Sequence, residues 1–250
     1  MFFFTLLTRN ARGTRLEQRN YHAFYQLCAS GGPGSANLGI SEGAGGFDVL
    51  TKGGCTEIEG VNDAEDFKGL EKALADVGLG EEERADVWKL VASLLHLGNL
   101  KLADADGKTT VSAPCSPSLL GSLLGCDFAA VENAVCIRQV RSGRGSLMSM
   151  NLDVAQARAG VEALIKHCYG SLFHFLVKKI NQSHALAVEA GSFIGILDIF
   201  GFEIMKYNSL SQLCINFANE KLQQQFNQQV FVREKEVRGA SSPTTHRILP

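Results

Sequence analysis

The chain has only 5 Pro and 1 Trp, no Cys-x-x-Cys pair and no long apolar run, and each shortage excludes something. Without an apolar run of roughly 20 residues, no segment reads as a membrane-spanning helix. The 7 cysteines are odd in number and scattered, at positions 28, 55, 115, 126, 136, 168 and 214. That spacing argues against a structural zinc site and a disulfide framework, and it fits reduced thiols in the cytosol. Lysine and arginine total 24 against 26 acids, a net charge of −2, so the chain lacks the basic excess of a nucleic-acid binder. The opening MFFFTLLTRNAR carries no basic residue ahead of its apolar run and makes a poor secretory signal. Arg9, Arg12 and Arg15, all ahead of the first acid Glu17, leave a transit peptide open. What is there is globular: 45% hydrophobic and 20% charged residues over 250 positions suit one large or two small domains. The 26 glycines cluster in a few places that read as loops.

Helical spacing dominates the first two thirds. Leu16, Phe24, Leu27 and Cys28 predict a helix over 15–28, followed by loop over 29–47. Asn62 or Asp63 caps a helix over 62–77 with Phe67, Leu70, Leu74 and Val77 on one face. Three acids open the next helix, 81–97, where they suit the positive helix N-terminus. Val87, Leu90, Val91, Leu94 and Leu95 form its inner stripe, and Gly98-Asn99 ends it. Residues 103–117, with Pro114 and Pro117, read as a polar loop, and 118–135 as one helix or two short ones. Residues 153–184 predict a long helix on Val161, Leu164, Ile165, Cys168, Leu172, Leu176 and Ile180. His167, His174 and His184 lie on or near it, without metal-pair spacing.

Residues 137–150 differ in kind. Between Glu132 and Asp153 there is no acid, while Arg138, Arg141 and Arg144 supply three cations. The segment is either a solvated basic loop or a contact for an acidic partner surface. Further on, Phe193, Ile194, Ile196, Leu197 and Ile199 read as a strand buried on both faces. Asp198 ends that run and Gly201 follows, an arrangement suited to a phosphate and its metal: the carboxylate holds Mg²⁺ directly or through water, and glycine lets a backbone N–H approach an anion. A strand that merely ends in a polar turn is the plain alternative. Ser209 and Gln212 form a capping-box pair opening a helix whose inner face is Leu210, Leu213, Cys214, Phe217, Phe226 and Val230. From about Val237 the chain reads as an irregular tail.

The stretch LDIFGFEIMKYNSLSQLCINFANEKLQQQFNQQVF, residues 197–231, resembles the switch II segment and relay helix of a myosin motor domain. RNYHAFYQLC (19–28), GCTEIEGVNDAEDF (54–67), VWKLVASLLHLGNLKL (87–102) and VEALIKHCYGSLFHFLVKKIN (161–181) resemble the same family in the same order. The resemblance implies an α/β, predominantly helical fold: a partial P-loop-NTPase-like motor core with one or a few buried strands and long helices. It divides the chain into an irregular segment over 1–14, a partial motor domain over 15–236 and a tail over 237–250. Within the motor part it assigns upper 50-kDa residues 15–191, switch II 197–203 and a relay helix 209–232.

The implied roles follow residue by residue. Asp198 sits near the nucleotide's Mg²⁺ through water, the Gly201 backbone N–H contacts the terminal phosphate of ATP, Phe202 packs beneath the moving switch, and Glu203 pairs with a switch I arginine and positions the attacking water. Residues 137–150 take the place of an actin-contacting loop, with Arg138, Arg141 and Arg144 as contacts, and 103–117 that of a second, weaker one. Some family members are regulated sixteen residues before a D-A-L-like motif; here Glu162-Ala163-Leu164 points back to Ser146, for which plain loop serine is the alternative.

The phosphate-cradling G-x-x-x-x-G-K-[ST] does not occur in these 250 residues: Gly107-Lys108-Thr109 has Leu102 where its first glycine belongs. Switch I, the converter, calmodulin-binding repeats and a coiled-coil tail are also not found. The expectation is therefore an internal motor fragment, cytoplasmic and cytoskeletal, inactive as an ATPase by itself, with no light chains and a tendency to aggregate through its bare strand. The alternative is a non-enzymatic helical module that binds actin.

Overall fold

The computed structural model describes residues 19–31, 37–113, 115–141, 143, 147–184, 195, 199, 201–204, 208–232 and 234–235. The chain divides into two units, Met1–Leu186 and Ala187–Pro250.

The first unit is built on helices whose ends are written in the sequence. α1 is His22–Ala29, α2 a single turn over Asp48–Thr51, and α3 spans Asp63–Asp76. At the start of α3, Asn62 Oδ1 accepts the Glu65 N–H at 3.2 Å, and Asp63, Glu65 and Asp66 face the positive end of the helix dipole. α4 covers Glu81–Gly98 with acids at its first three positions, and the Gly80 N–H donates to Glu83 Oε2 at 3.2 Å. α5, Pro117–Leu124, starts on a proline and stops at Gly125, whose φ of 69° suits glycine. α6 is Phe128–Cys136. α7 runs for 30 residues, Val154–Ser183. Its cap is reciprocal: Asp153 Oδ1 accepts the Gln156 N–H at 2.7 Å and the Asp153 N–H donates to Gln156 Oε1 at 3.3 Å.

α4 is the centre of this unit, in contact with α1, α2, α3, α5 and α7. Val91, Leu94, Leu95 and Leu97 on it are fully buried, as are Leu50, Leu74 and Leu120 around it. Each such leucine contributes about 2–3 kcal/mol of burial. Tyr169 on α7 stacks on Tyr21 with ring centroids 3.8 Å apart. Asn99 closes the end of α4 by accepting the Asp48 N–H at 2.8 Å and donating to Gly46 O at 2.6 Å.

Two expected loops are hairpins instead. β1 (Lys101–Ala105) and β2 (Lys108–Ser112) pair antiparallel, with Ala105 opposite Lys108. The turn between them is Asp106-Gly107, both with positive φ, 53° and 76°, as a two-residue hairpin turn requires; Asp104 Oδ1 accepts the Gly107 N–H at 2.9 Å. Leu102 and Val111 rest on the core. β3 (Ile137–Arg141) and β4 (Leu147–Asn151) also pair antiparallel. These two hairpins are the sheets among the described residues, so a buried α/β sheet is not what they display. The expected strand over 193–200 lies outside them except for Gly195 and Ile199, which sit in no strand. Residues 1–18 and 236–250 lie outside them as well.

In the second unit, α8 spans Leu210–Asn227 and continues as one wide π-type turn over Gln228–Val232. Its expected inner face is a correction: Leu210, Leu213, Cys214, Phe217, Phe226 and Val230 are all exposed, and Gln212 is its buried residue. Amphipathic spacing says which side wants cover, and nothing among the described residues of this unit covers it.

Candidate functional site

The loop Gly201–Glu203 is held against α8 by amide side chains. Asn216 Oδ1 accepts the Glu203 N–H at 2.7 Å, and Asn216 Nδ2 donates to Glu203 O at 2.9 Å. One side chain thus satisfies both backbone groups of Glu203, as a neighbouring strand would. One turn on, Asn219 Nδ2 donates to Gly201 O at 3.0 Å and to Ile215 O at 3.1 Å, using both amide hydrogens. One turn back, Gln212 Oε1 accepts the Ser209 N–H at 2.8 Å and also the Ser209 hydroxyl, while its Nε2 donates to the Glu203 carboxylate at 3.4 Å.

Gln212, Asn216 and Asn219 recur at steps of four and three, so they share one helix face. By helical spacing Leu210 and Phe217 fall on the opposite side and Leu213 on the flank, all exposed. Sequence reading used Gln212 only as a cap and missed Asn216 and Asn219; their signal was an amide stripe at helical spacing. Each neutral hydrogen bond of this kind contributes about 0.5–1.5 kcal/mol, so the staple is firm without being rigid.

Of the expected nucleotide-facing residues, the structure brings Gly201, Phe202 and Glu203 together, and Asp198 lies outside the described residues. Gly201 is exposed, and a Cβ built there would meet nothing within 4 Å, so its backbone can be approached closely. Phe202 is 60% exposed. The Glu203 carboxylate is half-buried, and its partner is Gln212 rather than a cation among the described residues. The loop presents open backbone at Gly201 and, two residues on, an acid held by an amide. No cluster of three or more metal-ligating side chains occurs among the described residues.

The basic segment has a defined shape. The Leu152 N–H donates to Cys136 O at 2.8 Å across the base of the β3–β4 hairpin. Thr109 Oγ1 of the first hairpin donates to Leu152 O at 2.6 Å. Arg138 stands opposite Met150 and Arg141 opposite Leu147. Because strand side chains alternate, the two arginines project from opposite faces. Both are exposed, and neither has an ion-pair partner among the described residues. Arg144 and Ser146 lie outside the described residues. His167, His174 and His184 are exposed, as surface histidines.

Comparison with known proteins fits this arrangement. Residues 9–239 match the family model described as Myosin head (motor domain). The chain is 42% identical over 226 residues to unconventional myosin-Vb of Homo sapiens, covering 88% of this chain and 12% of that protein. It is 38% identical over 222 residues to unconventional myosin-Va of Rattus norvegicus, again 88% against 12%. It is 38% identical over 229 residues to the myosin IE heavy chain of Dictyostelium discoideum, 88% against 23%. The chain therefore spans a small part of the length of the relatives it matches. With the match running almost end to end, the chain belongs to the myosin head (motor domain) family.

Proposed function

We propose that this chain carries the phosphate-sensing and relay portion of an actin-based, ATP-dependent motor, together with one of its actin contacts. Gly201–Glu203 is the switch, α8 with its π-type turn is the relay rod, and the β3–β4 hairpin is the actin contact through its arginines. The observation that carries the reading is the amide staple. A loop bound to α8 at Gly201 and Glu203 pulls on the first three turns of the helix when it moves, and that is the coupling a switch and rod require.

ATP and Mg²⁺ supply the transferable phosphoryl group and its charge neutralisation. The Gly201 N–H would contact the terminal phosphate, Asp198 would hold the metal through water, and Glu203 would orient the attacking water. Protein groups of this kind act by positioning and electrostatics. The 250 residues contain no G-x-x-x-x-G-K-[ST] cradle, so the purified chain binds actin without hydrolysing ATP. Steady-state phosphate release with magnesium is expected at buffer background, and co-sedimentation with actin filaments is expected to be indifferent to ATP. A magnesium-dependent ATPase in the purified chain overturns the expected inactivity of these 250 residues, and absence of co-sedimentation overturns the actin contact.

A further inference from the structure

We propose that residues 222–232, LQQQFNQQVFV, form a cross-β contact with the same segment of a second copy of this chain. The stretch sets five Gln and one Asn beside Phe226, Val230, Phe231 and Val232, and it contains no charge, proline or glycine. Lys221 and Arg233 bound it at either end. Low charge, β-branched and aromatic side chains, and amides that ladder onto their own copies are the composition that stacks as strands. The pattern also names the partner. With no charge inside the segment, a copy stacked in register meets no like-charge repulsion, and each amide and each ring lies on its own counterpart.

Little holds the segment as helix. Every residue of it is exposed, Phe226 by 53% and Phe231 by 64%. Lys221 Nζ donates to Gln224 Oε1 and Gln223 Nε2 to Asn227 Oδ1, both at 3.3 Å and both exposed to water. Phe226 meets Phe231 edge-on with centroids 6.4 Å apart. The α-helical pattern gives way to the π-type turn over Gln228–Val232, a geometry seldom sustained. A helix end without packing keeps only its marginal intrinsic stability. Once extended, the chain alternates: Phe226, Gln228, Val230 and Val232 share one face, and Asn227, Gln229 and Phe231 the other. The first face buries apolar surface against its copy, and the backbone hydrogen bonds released by the helix are remade between chains.

The test follows the full 250-residue chain in reductant, which keeps exposed Cys126 and Cys214 from cross-linking. Assembly is read by thioflavin T fluorescence, sedimentation and fibre diffraction, with a strand-spacing reflection expected at about 4.7 Å. Val230→Lys with Val232→Lys is expected to lengthen the lag before assembly about tenfold or more. Gln228→Lys, which leaves the apolar residues in place, is expected to act in the same direction, and circular dichroism checks the helix content of each variant. Phe217→Lys, on α8 outside the segment, and Ile196→Lys, in the apolar run 193–200, are expected to change the lag less than about twofold. A longer lag in either of these with none in the first two variants overturns the proposal. So does assembly without the strand-spacing reflection, and so does a chain that stays monomeric.

Discussion

α4 and α8 are both 18 residues long, both amphipathic by spacing, and both begin with an N-terminal cap arrangement. Leu94, Leu95 and Leu97 of α4 are 0% exposed, whereas Leu210, Leu213 and Phe217 of α8 are 75%, 65% and 63% exposed. The same local code produced a core element in one unit and a bare rod in the other. α4 is contacted by α1, α2, α3, α5 and α7, and within its own unit α8 has its loop on its polar side and no described element on its apolar one. A helix owes most of its stability to what packs on it rather than to its propensity.

The largest expected break of this contrast is Leu94→Ala. It should cost about 2–5 kcal/mol by leaving a cavity at the centre of the first unit, read as a lower urea midpoint. Phe217→Ala, the matching change in α8, should cost less than about 0.5 kcal/mol. If the two losses are comparable, the α8 face is covered and the contrast fails.

Next in size is the staple. Asn216→Leu removes both partners of the Glu203 backbone and should raise hydrogen exchange at the Glu203 amide about tenfold, in line with roughly 1.4 kcal/mol of local opening. Amides in α4 should be unaffected. An unchanged Glu203 rate would mean that the loop is held by something other than α8.

A smaller effect distinguishes the units by pH. His96 is buried on α4, its Nε2 2.8 Å from Leu38 O, and burial pulls its pKa below the ordinary value. A histidine whose folded pKa is depressed binds fewer protons folded than unfolded. Its contribution is therefore fully present above the unfolded value near 6.5 and is lost as pH falls below it. Half-buried His22 is shifted the same way, first by burial and then by the Arg19 charge. Urea midpoints should fall between pH 7.5 and 5.5, with a shallower slope in His96→Gln. An identical slope in that variant would remove His96 from the account.

The mildest contrast is thiol reactivity. Burial, with Asp63 nearby, pushes the Cys28 thiol up to about 12, while Cys214 on α8 is exposed. The thiolate is the reactive form, so native-state alkylation followed by mass spectrometry should label Cys214 well before Cys28.

Helix ends were legible because caps are local. Asn62 and Ser209 each announced a start that a side chain or backbone group within three residues completes, and the Asp153 cap of α7 is of the same local kind. The hairpins were harder. Asp106-Gly107 is a strong two-residue turn signal, but the flanking strands are short and polar, and nearby Pro114 and Pro117 made the whole segment look irregular. β3–β4 is exposed along most of both faces, so it lacks the one-sided apolar alternation that marks a half-buried strand. The candidate loop is legible by resemblance, whereas Asn216 and Asn219, which hold it, carry no assignment in the sequence analysis.

The sequence by itself determined where helices start, which stripes are apolar, and to which family the chain belongs, since each is a matter of residue type at fixed short spacing. Only the tertiary structure decided that the α4 stripe is buried and the α8 stripe bare. It alone put Arg138 and Arg141 on opposite faces, and it alone turned Asn216 and Asn219 of α8 toward the backbone of Glu203 and Gly201. Those outcomes depend on which partner surface meets each face, and contacts between residues distant in sequence are set by the packing of whole elements rather than by the local order of side chains.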